Sequence, residues 1–351
     1  MNIFKGVLAM AVFMKGNTKA ITITDEFAAK VRSDHKKEYL MKWAPIMVLA
    51  VMILVFTIIV GGAFASTANV INLLNQMAIP LMVALGLTFV IMIGSIDLSI
   101  NGTVGMAGSL AGVFLLNTRT DFDMGVWGLL LAVLSSVLVG FIIGSMHVWL
   151  KIPSFMVSFA FMNICIGIGM LSYGGIHPTI QDPFFSEVPR MSFIGIPIIA
   201  WVAIVVFLIC YYIQEYTPFG RHVYAVGTDE TIPKAVGVNV ARVKIMVFTL
   251  AGFCFGMAGV VGALRLGQGQ VGIGTGLMFP AQAAVVMGGT ALSGGKGGVV
   301  HTLVGVLIMT VLFNGLTMVG VNPHIRTGIE GIIILVAVIL TVKRGAAIIS
   351  K

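Results

Sequence analysis

The residues that could do chemistry in this chain are polar side chains set inside apolar runs. They are Asn72, Asn75 and Gln76; Asp97, Ser99 and Asn101 at a glycine-rich break; and Asn163, Gln282 and Asn314. Polar groups inside an apolar span are costly and as a rule face a cavity or another helix. Amides and hydroxyls offer hydrogen bonds without a fixed charge, which suits a route for a neutral polar solute. Asp97 could line such a route or cap the helix expected from Leu98, and the preference of aspartate for helix starts favours the cap. Ser293 and Lys296, in a second glycine-rich break, read first as loop chemistry near a membrane surface. Nothing is arranged for catalysis. The stretch GTALSGGKG (289–297) has Thr290 where a phosphate loop needs glycine, and Gly297 where it needs Ser or Thr. The six histidines lack ligand spacing. Cys165, Cys210 and Cys254 are scattered through apolar runs and read as small buried side chains. No cofactor and no metal is expected on this chain.

The elements that must hold those residues follow from composition. Of 351 residues, 58% are apolar and 10% charged, against roughly 25% charged in soluble chains. A bilayer-crossing helix takes about 20 apolar residues. The apolar runs predict an all-α polytopic membrane protein with about ten spans: near 43–63, 70–93, 98–117, 125–149, 154–173, 192–213, 244–264, 279–289, 298–319 and 325–342. Little chain is left for an aqueous domain. Residues 1–42 are expected as a cytoplasmic or interfacial lead-in. Lys15 stands where a signal peptide would need a small-residue cleavage site, so no cleaved signal is expected. The membrane domain is 43–343 and the tail 344–351.

Charge orients the spans. With an inside N-terminus, 17 of the 21 basic residues fall inside, and Arg119, Arg190, Arg265 and Arg326 fall outside. That bias places both termini in the cytoplasm. It also accounts for the net charge of +8 without nucleic acid as a partner. The 43 glycines are about 12% of the chain, where roughly 7% is usual. Pairs at four-residue spacing (Gly108/Gly112, Gly140/Gly144, Gly252/Gly256) predict close packing of many helices in lipid rather than a dimer interface. The outer stretch 174–191 carries Pro178, Pro183 and Pro189 and reads as a structured turn region.

The sizeable polar stretch on the inner side lies between spans six and seven. It is a loop over 214–243 whose body is YTPFGRHVYAVGTDETIPKAVGVNVARVK (216–244). Thr228 reads as a helix cap, Asp229 and Glu230 as a first turn, and Gly237 as a terminator, with Pro233 keeping the helix short. A short helix on that face suits docking of a peripheral protein; by composition alone an ordinary solvated connector is the better reading.

The chain resembles bacterial monosaccharide ABC-importer permeases of the ribose, galactose and xylose type. The resemblance rests on Phe219-Gly220-Arg221, the strand-like run Tyr224 to Gly227, Asp229-Glu230, and Gly237, Val240 and Lys244. It rests also on LGLTFVIMIGSIDLSINGTVGMAGS (85–109) and VVMGGTALSGGKGGVVHTLVGVLIMTVLFNGLTMVGVNP (285–323). It covers about 43–342, in order. The resemblance implies a type II importer-like fold in the bacterial inner membrane, a bound membrane lipid environment, and a second permease copy, identical or not. It implies cytoplasmic ATP-binding subunits that carry the ATP and Mg, and an extracytoplasmic substrate-binding protein. It assigns coupling to the ATPase to Arg221, Gly227, Asp229, Glu230, Gly237 and Lys244. Two places depart from the family. Leu277 to Gln282 replaces an acidic segment, and Glu330 stands four residues after Arg326, within reach of it on one helix face. An ion-coupled secondary transporter is the alternative; it needs an intramembrane carboxylate, and Asp97 and Glu330 are the candidates. Finally, Gly94 to Ser99 and Gly288 to Ser293 share the pattern Gly-x-x-x-Leu-Ser.

Overall fold

A computed structural model of the protein describes residues 43–341. Within that range, the side chains of Pro323, Glu330, Ile334 and residues 336–341 are not described. The expectations for 1–42 and 344–351, and the Arg326–Glu330 pair, therefore lie outside the described residues. Contacts divide the chain at residue 47. Of the unit Met1–Met47 only the opening turn of one helix is described, and the unit Val48–Lys351 holds the bundle and its connecting segments.

The chain is predominantly helical, and among the described residues eight segments are long and apolar enough to cross a membrane. They are α1 (Trp43–Ala63), α2 (Thr67–Met92), α4 (Val126–Trp149), α5 (Ser154–Tyr173), α7 (Ile198–Tyr216), α10 (Val240–Leu266), the broken segment Val271–Gly288 and α12 (Val299–Met318). This is a polytopic membrane protein. The third expected span is the shorter α3 (Ile100–Phe114), and the tenth corresponds to α13 (Pro323–Thr341). The broken segment is a 3-10 turn, Val271–Gly274, followed by α11 (Met278–Gly288). The proline-rich turn region holds a single-turn helix, α6 (Pro183–Glu187), and is followed by a hairpin of β1 (Ser192–Phe193) and β2 (Ile196–Pro197). The hairpin takes the first residues of the expected sixth span, because Gly195 at φ +76° allows a tight reversal there.

The core forms around α2 and α10. From Met77 to Met92, α2 is buried on nearly every face, and its sequence is correspondingly apolar all round rather than striped. Pro80 sits inside that helix; in a membrane bundle, neighbouring helices can compensate for the backbone groups it frees. The paired glycines explain the closeness of α10 to α4. A Cβ on Gly140 would stand 2.2 Å from the Phe248 carbonyl oxygen, and one on Gly252 would stand 2.3 Å from that of Ser136. Gly108 packs likewise on Gly259, and Gly112 on Gly269. All these contacts lie within one chain, as expected of close helix packing in lipid.

Candidate coupling face and translocation route

After α7 the chain forms two short helices, α8 (Pro218–Thr228) and α9 (Thr231–Ala235). Thr217 accepts a hydrogen bond from the Gly220 N–H at 3.3 Å, and Pro218 occupies the first helical position. That is a strong start signal, and it makes Tyr224 to Gly227 helical, where a strand-like run was expected. Thr228 consequently ends α8 instead of opening the next helix, its hydroxyl donating back to the Tyr224 carbonyl at 2.9 Å. The capping role passes to Asp229, whose Oδ1 accepts from the Thr231 N–H and hydroxyl, both at 2.8 Å. Pro233 lies in the first turn of α9, where a missing N–H costs nothing. Gly237, at φ +86°, ends the helix as expected, with the Val238 N–H donating to the Pro233 carbonyl at 2.9 Å.

The expected coupling residues separate into three kinds. Arg221, Asp229 and Gly237 are exposed. Glu230 and Lys244 pair with each other at 2.7 Å and tie α9 to the start of α10. Gly227 is a packing residue: a Cβ there would stand 1.8 Å from the Met92 carbonyl oxygen and 2.6 Å from the Gly295 nitrogen. Sequence reading missed the apolar part of this face. Ile232 is 64% exposed and Val236 76%, the first in the short helix and the second at its C-cap, four residues on. Two exposed branched side chains, with Lys234, Arg242 and Asp229 also exposed, make a small face of mixed apolar and charged character.

Beneath α8 lies a hydrogen-bonded latch that was also missed. Gln214, 4% exposed near the end of α7, accepts from the Val299 N–H at 2.7 Å. It donates to the Tyr224 hydroxyl at 3.0 Å, which donates in turn to the Gly297 carbonyl at 2.8 Å. Burial pushes the Tyr224 phenol up, with Glu215 adding to the effect, so it stays a donor at neutral pH. Thr290, fully buried, accepts from the Gly298 N–H at 3.2 Å. The loop from Gly289 to Gly298 can lie this close because Gly294, Gly295, Gly297 and Gly298 all have positive φ. A lone amide in an otherwise apolar run was the available signal for Gln214.

The two Gly-x-x-x-Leu-Ser breaks meet in space. The Gly295 N–H donates to the Met92 carbonyl at 2.9 Å, and a Cβ on Gly94 would lie 3.5 Å from the Ser293 carbonyl oxygen. The ends of α2, α7 and α11 and the start of α12 thus converge under α8. Leu292, Ser293 and Lys296 are exposed at the same end.

The polar side chains inside the spans are not one cluster. Asp97, 1% exposed, caps its own break: Oδ1 accepts from the Ser99 N–H at 2.7 Å. The flanking Ile96 and Leu98 N–H groups donate to Ser154 and Ser158 of α5 at 3.1 and 2.9 Å. Asn314 donates to Asn69 at 2.8 Å, joining α12 to α2. Asn101 accepts from the Met278 N–H at 3.2 Å and so joins α3 to the start of α11. Asn163 is exposed and bonds back to its own helix at Phe159, 3.0 Å away. Asn72 is exposed, while Asn75 and Gln76 are half-buried. The Asn75 side-chain oxygen is buried with no hydrogen-bond partner, and Arg265 donates to the Asn75 carbonyl at 3.3 Å. Gln282 is half-buried on α11. Arg326 donates to Thr317 at 3.1 Å and lies over the Phe313 ring. Among the described residues no three His, Cys, Asp or Glu side chains could hold a metal ion.

Known proteins share this arrangement of sequence. Residues 69–338 match the family described as the permease component of branched-chain amino acid transport systems. The ribose import permease protein of Bacillus subtilis is 33% identical over 325 residues, covering 92% of this chain and 99% of the relative. A probable ABC transporter permease protein of Escherichia coli is 35% identical over 297 residues, covering 85% and 88%. The galactose/methyl galactoside import permease protein of Escherichia coli is 30% identical over 323 residues, covering 87% and 96%. No solved structure matches the chain. The helical bundle, the match over most of its length and these relatives agree: the chain belongs to the ABC-importer permease family, as a transport subunit and not an enzyme.

Proposed function

We propose that the chain is the membrane-spanning permease subunit of an ABC importer that moves a monosaccharide or sugar-like solute inward across the bacterial inner membrane. The motor is a pair of cytoplasmic ATP-binding subunits, and an extracytoplasmic binding protein delivers the solute. Two permease copies, identical or not, enclose the route. The chain makes ten passes, counting α3 and α13, with both termini cytoplasmic; the inside bias of the basic residues supports this orientation.

The observation that carries the proposal is the α8–α9 face. Ile232 on the five-residue α9 and Val236 just past its end stand exposed, and the latch through Gln214 and Tyr224 ties α8 to the start of α12. A subunit docked on α9 would push on a rigid α8. Through Gly297 and Val299 that push would reach a spanning helix, so that the bundle opens alternately to each side. The Asp97 carboxylate is engaged by the Ser99 N–H, which leaves it a poor site for a coupling ion.

The test is purification from native membranes with partners, followed by reconstitution. ATP-driven uptake that needs a second, nucleotide-binding chain is expected, and scrambling Asp229–Gly237 should abolish it. Normal uptake with that segment scrambled, or uptake by the lone chain driven by an ion gradient, would refute the proposal.

A further inference from the structure

The segment between α10 and α11 does not cross the bundle as a helix. After Leu266 the chain turns back into the protein. Val271 packs on α3 and α5, where Cβ atoms on Gly105 and Gly169 would stand 2.4 Å from its carbonyl oxygen and 2.7 Å from its side chain. Gly274 lies against the Asn101 carbonyl, at 2.0 Å from a built Cβ, and the Met278 N–H reaches the Asn101 side chain.

Depth can be read from the neighbours. The next residue, Gly102, is pressed on the Met162 carbonyl, near the middle of the 20-residue α5, a helix about 30 Å long. Independently, α11 has 11 residues, about 16 Å, roughly half of a 30 Å hydrocarbon core. Both measures put Thr275–Met278 close to mid-membrane.

At that depth the segment is bare. Gly272, Thr275, Gly276 and Phe279 are exposed, Phe279 at 57%. Pro280 has no N–H to offer the Gly276 carbonyl. Among the described residues, the Gly276 N–H and C=O and the Phe279 N–H have no hydrogen-bond partner. Exposed non-helical backbone does not face lipid in the hydrocarbon region; it is tolerated where it lines water or is covered by protein.

We infer that Thr275–Phe279 lines the aqueous solute route at mid-membrane. Its free peptide groups and the Thr275 hydroxyl offer hydrogen bonds to a neutral polyhydroxylated solute, and the Phe279 ring offers a flat apolar face. Gln282, one turn further along α11, extends the lining. An uncharged lining of this kind gives many weak contacts and no trap. The inference rests on the permease reading and adds to it a site that the coupling face does not imply.

The experiment uses the complete transporter in proteoliposomes, with the three buried native cysteines replaced by alanine. Thr275→Cys and Phe279→Cys are compared with Leu138→Cys, an exposed apolar position on α4, using a charged, membrane-impermeant methanethiosulfonate reagent. Thr275→Cys and Phe279→Cys should react about tenfold faster than Leu138→Cys in the resting or the ATP-bound state, because only water carries the reagent. Modification should block uptake while the ATPase subunits stay bound. Labelling no faster than at Leu138→Cys in both states, or full uptake after complete labelling, would overturn the inference. Thr275→Ser, expected to transport normally, controls for folding at this position. Absence of ATP-driven uptake in the unmodified transporter would instead count against the permease reading itself.

Discussion

Removing the amide of Gln214 should destabilise the protein more than its position at a helix end suggests. Gln214→Leu keeps the volume near constant but leaves the Val299 N–H without its acceptor and the Tyr224 hydroxyl without one of its two partners. Leaving one buried polar group unpartnered costs about 1–3 kcal/mol. Val299 is fully buried and Tyr224 is half-buried, so the sum should be about 2–4 kcal/mol. Tyr224→Phe removes one hydroxyl from the half-buried end of the chain of bonds and should cost about 1 kcal/mol. The two changes share a bond, so the double variant should fall short of their sum by about 0.5 kcal/mol or more. Equilibrium unfolding of the purified permease in mixed detergent micelles measures all three. A Gln214→Leu variant within about 0.5 kcal/mol of the parent, the usual range for surface changes, would refute the latch.

Other expectations rest on the same contacts. Breaking the Glu230–Lys244 pair with Glu230→Gln should cost about 0.2–1 kcal/mol, since Glu230 is one-third exposed, and a thermal melt would register it. Ile232→Asp with Val236→Asp should leave stability within about 0.5 kcal/mol yet abolish retention of the ATPase subunits on an affinity column; unchanged retention would remove α9 from the docking face. Gly252→Leu should prevent folding, because the side chain would enter the Ser136 backbone, and absence of a monodisperse peak in gel filtration is the readout. Because the folded state holds the Tyr224 phenol above its ordinary value, its contribution is present below that value, about 10. It is lost as pH rises through the folded pKa, a loss that Tyr224→Phe should not show in alkaline unfolding curves.

Membrane character, the approximate spans, and the close glycine packing could be read from sequence because each depends on local composition. An apolar run of about 20 residues has few other fates, and glycines four apart leave one flat face whatever they pack on. The terminating role of Gly237 was likewise local and appears as expected, whereas Asp97 holds the Ser99 N–H inside the break and the helix opens only at Ile100. What sequence could not supply was pairing. Sequence could not show that Asn69 stands opposite Asn314 or that the Met92 carbonyl lies against Gly227. The helix of Tyr224 to Gly227 overrode a strand-like pattern because Thr217 and Pro218 start a helix one turn earlier. The segment before α11 reads in sequence as a plain connection, since the expected eighth span, 279–289, corresponds to α11 alone. Its depth and its bare peptide groups exist only once α3 and α5 are folded beside it. Composition thus determined the solvent in which this chain folds, and tertiary contacts alone decided which polar groups are paired in the structure and which are not.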